Sequence, residues 1–210
     1  ERASILYEIA DKIENNIEEL AEIETQDMGK PISQSRGKDI PRTVDNFRFF
    51  ANYITMSENE SLPMSDDFHI YTRYEPVGVT AAISPWNFPI MLASWKIAPA
   101  LAFGNTVVLK PAEQTPVSCF RLAELAAEAG LPEGVLNVVH GYGPNSVGEY
   151  LTTHPDVDLV TFTGESNTGR SILKAVSSTL KGVSFELGGK GANIVFEDAD
   201  LTSAVDWSIR

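Results

Sequence analysis

A strand, a helix and a second strand follow one another in residues 77–109, which read VGVTAAISPWNFPIMLASWKIAPALAFGNTVVL. Residues 77–83 and 105–109 are short and almost wholly apolar, which is typical of strands buried on both faces. Residues 90–103 between them predict an apolar helix. Strands of this kind joined by a helix predict neighbours in a parallel sheet.

The same alternation continues towards the end of the chain. Residues 115–129 predict another helix, and further strands are predicted at residues 134–139, 159–161, 182–186 and 193–196. Strands separated by helices throughout indicate an α/β fold with a doubly wound, mostly parallel, Rossmann-like sheet.

Helices precede this sheet. Apolar residues recur every three or four positions in residues 5–23, which predicts a helix that stops at Gly29-Lys30-Pro31. A second helix is predicted around Pro41, near its first turn or a kink. Its buried face would comprise Val44, Phe47, Phe50, Tyr53 and Ile54. The alternation in residues 68–77 predicts an exposed strand or a protruding hairpin arm.

Composition excludes several classes of partner. The 210 residues carry a net charge of −13 without a basic run, so nucleic acid and anionic membranes would repel the protein. No apolar run is long enough for a membrane span, and the N-terminal residues do not lead us to expect a signal peptide. A single cysteine, Cys119, excludes an internal disulfide and favours the reducing cytoplasm. The chain begins without Met, and residues 201–205 predict a helix still running at the last residue. We therefore expect both ends to be cut.

Four unusual segments follow predicted strands, at the edge of the sheet where ligands bind in this fold. The first is residues 84–89, in which two prolines fix the loop and Asn87 can present a rigid NH2 donor. Such a donor suits an oxyanion, for which losing one donor costs about 10²–10³ in rate. The alternative is an Asn that only stabilises a turn.

The second segment, residues 109–116, places Lys110 and Glu113 three residues apart at a strand end. Both side chains can reach the hydroxyls of a bound ribose. A carboxylate there favours NAD, because the 2′-phosphate of NADP would meet like charge. The alternative for Glu113 is a solvated acid just before a helix, where acids are favoured in any case.

The third and fourth segments contain paired glycines. In residues 162–170, Gly164 and Gly169 bracket a turn and would let the backbone approach a phosphate at a helix N-terminus. Glu165 argues against a simple anion site, because its charge lies where a pyrophosphate would bind. In residues 185–190, Glu186 precedes two glycines and would be suited to general-base chemistry if buried in a cleft. The alternative for Glu186 is an ordinary surface carboxylate.

The order of these segments resembles the aldehyde dehydrogenase superfamily over essentially the whole chain. The matching motifs are Pro85-Trp86-Asn87, Lys110-Pro111-Ala112-Glu113, Phe162-Thr163-Gly164 and Glu186-Leu187-Gly188-Gly189-Lys190. The resemblance implies the N-terminal, cofactor-binding half of an NAD(P)+-dependent enzyme. It also implies an NAD-binding domain in residues 1–60 and 77–188, an oligomerisation arm in 61–76, and the start of a catalytic domain in 189–210. The implied assembly is a homodimer or homotetramer.

The resemblance implies a role for each site residue. Asn87 would be the oxyanion donor and Glu186 the general base. Contacts with NAD are implied for Ser84, Trp86, Lys110, Glu113, Gly164, Glu165, Gly169, Leu187 and Gly188. At position 165 many family members have Ser, which puts the contact of Glu165 with the pyrophosphate in doubt. No metal is implied.

The nucleophile of the family is a cysteine thiolate, which attacks the aldehyde before hydride passes to NAD(P)+ and water hydrolyses the thioester. In the family this cysteine follows the Glu-Leu-Gly-Gly-Lys segment, and the chain ends at Arg210 before reaching one. Cys119 matches no site motif and is interpreted as a small buried hydrophobe. The chain alone is therefore expected to be inactive.

Residues 39–50 and 162–166 resemble the 2-hydroxymuconate and 2-aminomuconate semialdehyde dehydrogenases. In that branch the arginine matching Arg42 binds the substrate carboxylate, for which a guanidinium has suitable bidentate geometry. The alternative is an exposed ion pair of Arg42 with Asp39 or Asp45. Three wider alternatives remain, namely a general or betaine-type aldehyde dehydrogenase, a non-catalytic NAD-binding module, and a structural relative that keeps the fold without activity.

Overall fold

The computed structural model describes residues 1–65 and 67–209. The strands are β1 (Ser61–Ser65), β2 (Phe68–Tyr71), β3 (Val79–Ile83), β4 (Thr106–Lys110), β5 (Leu136–Val138), β6 (Leu159–Thr163) and β7 (Gly182–Glu186). The helices are α1 (Arg2–Asn15), α2 (Ile17–Met28), α3 (Ile32–Gln34), α4 (Ile40–Met56), α5 (Pro89–Ala102), α6 (Val117–Glu128), α7 (Val147–Thr153), α8 (Ser166–Val176) and α9 (Leu201–Ser208). A π-helical segment, Ser35–Asp39, joins α3 to α4.

Five parallel strands form the central sheet in the order β5-β4-β3-β6-β7. The sheet grows outward from β3 in both directions, first to β4 and β5 and then to β6 and β7. Ile83 at the end of β3 is opposite Lys110 of β4 on one side and Phe162 of β6 on the other. The predicted doubly wound α/β fold is therefore confirmed.

Helices cover both faces of this sheet, because successive side chains of a strand point to opposite sides. Ala82 of β3 packs in one apolar cluster with residues of α1, α4, α5 and α6. Its neighbours Ala81 and Ile83 pack in a second cluster with Phe162 and with Ile172 of α8. Burial on both faces explains why the sequence of β3 is apolar throughout.

The N-terminal helices differ from the prediction in two respects. The apolar stripe of residues 5–23 is divided between α1 and α2 at Asn16, whose side-chain amide donates to the Lys12 carbonyl oxygen at 2.7 Å. Asn favours such breaks because its side chain competes for backbone hydrogen bonds. Tyr53, expected on the buried face of α4, is 50% exposed. The predicted stop is confirmed, since Gly29 ends α2 with a φ of 81°.

The residues between α4 and β3 form a hairpin. β1 and β2 pair antiparallel, with Ser61 opposite Tyr71. The hairpin thus begins earlier than the predicted residues 68–77 and falls inside the wider arm assigned to residues 61–76. Its large apolar side chains are exposed, namely Leu62, Met64, Phe68, Ile70 and Tyr71.

The prediction of a strand at residues 193–196 is wrong, since these residues have no regular secondary structure. A strand needs a neighbour for its backbone hydrogen bonds, and β7 is the outermost strand of the described sheet. The helix expected to run on at the end of the chain is α9, which ends at Ser208. Over the ranges 1–65 and 67–209, no helix combines the length and apolar character needed to cross a membrane.

Asn105 joins the end of α5 to the beginning of β3. Its side-chain oxygen accepts hydrogen bonds from the backbone N–H groups of Val77 at 2.7 Å and Gly78 at 3.0 Å. Its side-chain NH2 donates to the Ala100 carbonyl oxygen at 3.2 Å. Asn105 is buried and these hydrogen bonds are partly buried, so water would replace a lost partner only in part.

We expect Asn105→Ala to lower the free energy of unfolding by about 1–3 kcal/mol, because the partly buried N–H groups of Val77 and Gly78 would lose their acceptor. Urea denaturation followed by circular dichroism would measure the change. Asn137→Ala is the matched control, since Asn137 is exposed and, among the described residues, its side-chain amide donates to the Gly134 carbonyl alone; its effect should stay within about 0.5 kcal/mol. Equal losses in the two variants would contradict this role of Asn105.

Candidate functional site

A cleft of about 740 Å³ lies at the carboxyl ends of β3, β4 and β6. This is the point where the strand order reverses, since β3 has β4 on one side and β6 on the other. Doubly wound sheets bind ligands at such switch points, and ligand pockets have volumes of roughly 300–1,000 Å³. The walls include six of the residues predicted to contact a cofactor: Ser84, Trp86, Lys110, Glu113, Gly164 and Glu165.

Lys110 and Glu113 meet at the end of β4. The Lys110 ammonium lies 3.4 Å from a Glu113 carboxylate oxygen and also donates to the Pro111 carbonyl oxygen at 3.1 Å. The Lys110 side chain is 6% exposed and that of Glu113 is 36% exposed. A buried donor and a partly exposed acceptor thus stand side by side on the cleft wall, an arrangement that can receive neighbouring hydroxyl groups.

The turn after β6 leads into α8, whose N-terminus faces the cleft. The Glu165 carboxylate accepts a hydrogen bond from the Thr168 backbone N–H at 3.1 Å and so caps the helix. Hydrogen bonds from backbone N–H groups, first that of Asn167, hold the pKa of Glu165 below its usual range. The helix end is therefore already supplied with an anion, which agrees with the doubt raised about a pyrophosphate contact at this residue.

Gly169, Leu187 and Gly188 lie beside the cleft and not on its described wall. A Cβ atom on Gly169 would come within 2.6 Å of a Leu187 methyl carbon. The absence of a side chain at position 169 therefore lets the segment after β7 pack on α8. For Gly169 the structure gives a packing reason in addition to the predicted approach of a phosphate.

Glu186 is the last residue of β7, and its backbone bonds to a residue of the cleft wall. Its carbonyl oxygen accepts a hydrogen bond from the Gly164 N–H at 3.0 Å, and it pairs in register with Thr163. Its side chain is exposed. The described residues thus bring Glu186 to the edge of the cleft without supplying the burial that was expected for a general base.

Asn87 has a fixed backbone and an open side chain. Its carbonyl oxygen accepts a hydrogen bond from the Lys30 ammonium at 3.1 Å. Its side-chain amide is exposed and makes no hydrogen bond with any residue the structure describes. The amide is therefore available to a ligand, and the predicted structural role in a turn belongs to the backbone of Asn87 only.

A buried charged cluster behind Asn87 was missed by the sequence analysis. The Lys30 ammonium lies 2.5 Å from an Asp39 carboxylate oxygen and 3.4 Å from a Glu24 carboxylate oxygen. Burial raises the pKa of Glu24, against the opposing effect of Lys30. Lys30 enters the sequence prediction only as part of a helix stop, and Glu24 lies just beyond the apolar stripe of residues 5–23, so neither side chain was expected to be buried.

Lys96 was also missed, although a sequence signal was present. It is the one charged residue in α5, a helix that was interpreted simply as apolar. Its ammonium donates to the Thr163 hydroxyl at 2.7 Å and lies 3.4 Å from the Thr161 hydroxyl. Burial lowers the pKa of Lys96 to about 8, and the Glu186 carboxylate opposes that effect. A titratable amine thus lies between the ends of β6 and β7.

Arg42 lies on α4, outside the described cleft wall, and is exposed. Asp39, one of its expected partners, is buried and paired with Lys30. Among residues 1–65 and 67–209, no carboxylate lies within 4.0 Å of the Arg42 guanidinium. The alternative of an ion pair with Asp39 or Asp45 is therefore wrong, and the guanidinium is open to a ligand. Cys119 is buried as expected, and burial raises the pKa of its thiol.

Comparison with known proteins gives a consistent result. The model of the aldehyde dehydrogenase family matches residues 1–210. The chain is 48% identical over 214 residues to 2-hydroxymuconic semialdehyde dehydrogenase of Pseudomonas sp. strain CF600, covering 100% of this chain and 44% of that protein. It is 46% identical over 205 residues to betaine aldehyde dehydrogenase of Vibrio vulnificus, covering 98% and 42%.

Solved structures agree with these relatives. The NAD+ complex of an aldehyde dehydrogenase from Bacillus cereus superposes with a TM-score of 0.95 at 48% identity. The match covers 98% of this chain and 42% of that one. The chain therefore spans less than half the length of the proteins that it matches.

Proposed function

Because the chain belongs to the aldehyde dehydrogenase family, we propose that it forms the cofactor-binding part of an NAD+-dependent enzyme that oxidises an aldehyde to a carboxylic acid. The observation that carries the proposal is the cleft at the β3–β6 switch point, whose walls bring together six residues predicted from separate motifs. Bound NAD+ would supply the hydride acceptor. The residues of this chain bind and orient it.

The volume of the cleft and its Lys110–Glu113 pair support the binding of a dinucleotide. Lys110 and Glu113 would hold the adenosine ribose, the carboxylate accepting from its hydroxyls and the ammonium donating to them. A 2′-phosphate at this place would lie against the Glu113 carboxylate, which favours NAD over NADP. Glu165 already caps α8 with a negative charge, so the pyrophosphate would depend on other donors around the cleft.

Asn87 and Glu186 would carry the chemistry that this chain contributes. The open Asn87 amide would donate to the oxyanion formed when a thiolate adds to the aldehyde. Glu186, at the cleft edge, would accept a proton from the water that hydrolyses the resulting thioester. Cys119 lies on α6 and is buried, so in this proposal the thiolate comes from another part of the full-length enzyme.

Arg42 would select the substrate. Its guanidinium is exposed and free of any carboxylate among the described residues, so it can bind the remote carboxylate of a semialdehyde acid, such as 2-hydroxymuconate semialdehyde. The alternative is a general or betaine-type substrate. The relatives include both kinds at similar identity, 48% and 46%, so the proposal depends on Arg42.

The hairpin of β1 and β2 would join subunits. It presents large exposed apolar side chains and unpaired strand edges, and such edges are normally covered in native proteins. We propose that a second copy of the chain covers them in a homodimer or homotetramer.

The first test concerns the cofactor. In the full-length enzyme, Glu113→Ser should raise the ratio of kcat/KM for NADP+ to that for NAD+ roughly tenfold, because about 1.4 kcal/mol of repulsion would be removed. Steady-state kinetics with both cofactors would measure it. Glu124→Ser is the control, since Glu124 is an acid on the exposed side of α6. A wild type that uses NADP+ as well as NAD+ would contradict the assignment.

The second test concerns the general base. In the full-length enzyme, Glu186→Gln should lower turnover about 10²- to 10⁴-fold while the first burst of NADH survives, because water attacks only after hydride transfer. Stopped-flow absorbance at the NADH band separates the two phases. Glu197→Gln, which neutralises an exposed acid just beyond the site, should change neither phase. Turnover unchanged in Glu186→Gln would exclude Glu186 as the base.

The third test concerns the substrate. Arg42→Ala should reduce kcat/KM for a semialdehyde acid roughly ten- to hundredfold, since hydrogen bonds to charged groups contribute about 1.5–3 kcal/mol. A neutral aldehyde of equal length should be nearly unaffected. Lys38→Ala, which removes another exposed cation close in sequence, serves as control. Equal losses for both substrates would show that Arg42 is structural, and a quaternary-ammonium aldehyde as the best wild-type substrate would contradict the branch.

A further inference from the structure

The charged cluster of Lys30, Glu24 and Asp39 has no part in the proposed function so far. All three side chains are buried, with 4% of the Lys30 side chain exposed and 0% of the two carboxylates. Burying an ion costs several kcal/mol even after relaxation, and buried ion pairs often stabilise no more than apolar residues of similar volume. Stability alone is therefore a weak explanation for a cation placed here.

Contacts of Lys30 and Glu24 lead to the loop before α5 and to the first turn of that helix. Lys30 donates to the Asn87 carbonyl oxygen at 3.1 Å, and its ammonium lies 4.5 Å from the centre of the Phe88 ring. The second oxygen of Glu24 accepts a hydrogen bond from the Ile90 backbone N–H at 3.3 Å. The cluster thus contacts Asn87, Phe88 and Ile90, the residues on either side of the first residue of α5.

The direction of the Asn87 amide depends on these contacts. Pro85 and Pro89 fix only their own φ angles, and the Asn87 side chain makes no hydrogen bond of its own with the described residues. What fixes the peptide plane after Asn87 is the carbonyl bond to Lys30. Because that bond restricts the ψ angle of Asn87, its loss would loosen the backbone that carries the side-chain amide.

We propose that Lys30, held between Glu24 and Asp39, is a positioning residue that aims the Asn87 amide at the oxyanion of the reaction. This inference rests on the proposed function of Asn87. On this inference the buried cluster keeps the oxyanion donor in its correct orientation. The orientation of a catalytic group would then depend on residues of the N-terminal helical region, far in sequence from the cleft.

A double-mutant cycle in the full-length enzyme tests the proposal. Lys30→Met keeps the length and apolar stem of the side chain and removes the ammonium. We expect kcat to fall roughly ten- to hundredfold, since small misplacements of catalytic groups cost up to about 10²-fold, with the KM for NAD+ unchanged. In an Asn87→Ala background the same change should have almost no effect on kcat, because the group that Lys30 positions is gone.

Arg48→Met is the matched control, because Arg48 also bridges helices through two carboxylates, Asp11 and Glu14, but lies away from the loop. It should leave kcat unchanged in both backgrounds. If Lys30→Met does not accumulate as folded protein, Lys30→Gln, which keeps only a neutral and shorter donor, replaces it in the same cycle. Retained kcat in the lysine variant, or equal losses with and without Asn87, would overturn the positioning role alone. An Asn87→Ala enzyme with normal kcat would instead overturn the proposed function of Asn87.

Discussion

The parallel register of β3 with its two neighbours is the constraint on which the site depends. Because Ile83 is opposite both Lys110 and Phe162, three strand ends stop at the same level of the sheet. Residues that follow these ends must therefore meet, although they are as much as 80 positions apart in sequence. A shift by one residue would move Ala82 out of one packed cluster and Ala81 and Ile83 out of the other, so side-chain packing favours this register.

The sequence was informative wherever a local pattern had one physical meaning. Apolar strands between helices predicted the sheet, and the polar residues just after them predicted the cleft wall. The buried cluster escaped because periodicity treats every acid on a helix as solvated, whereas Glu24 finds its partners only in the tertiary fold. The wrong strand at residues 193–196 has a related cause: β-propensity describes the segment, but pairing depends on a neighbouring strand.

Three glutamate carboxylates around the cleft have different surroundings. Glu113 stands beside a buried lysine and remains partly exposed, so its carboxylate can discriminate between ligands. The Glu165 carboxylate instead caps the first turn of α8 by accepting a hydrogen bond from a backbone N–H group. Glu186 differs from both, because its side chain is exposed and its environment depends on what packs against the end of β7. Residue type alone could not have separated these three carboxylates.

The contact between Lys30 and the Asn87 carbonyl has a consequence for local unfolding. The segment from Lys30 to Asp39 includes a single turn of α3 and a π-helical stretch, and short irregular helices of this kind open at lower free energy than the strands of a core. When that segment opens, the loop before α5 loses its anchor while the sheet remains folded. We therefore expect the amide hydrogens of residues 30–39 and of the Asn87 loop to exchange through one shared opening, separate from global unfolding.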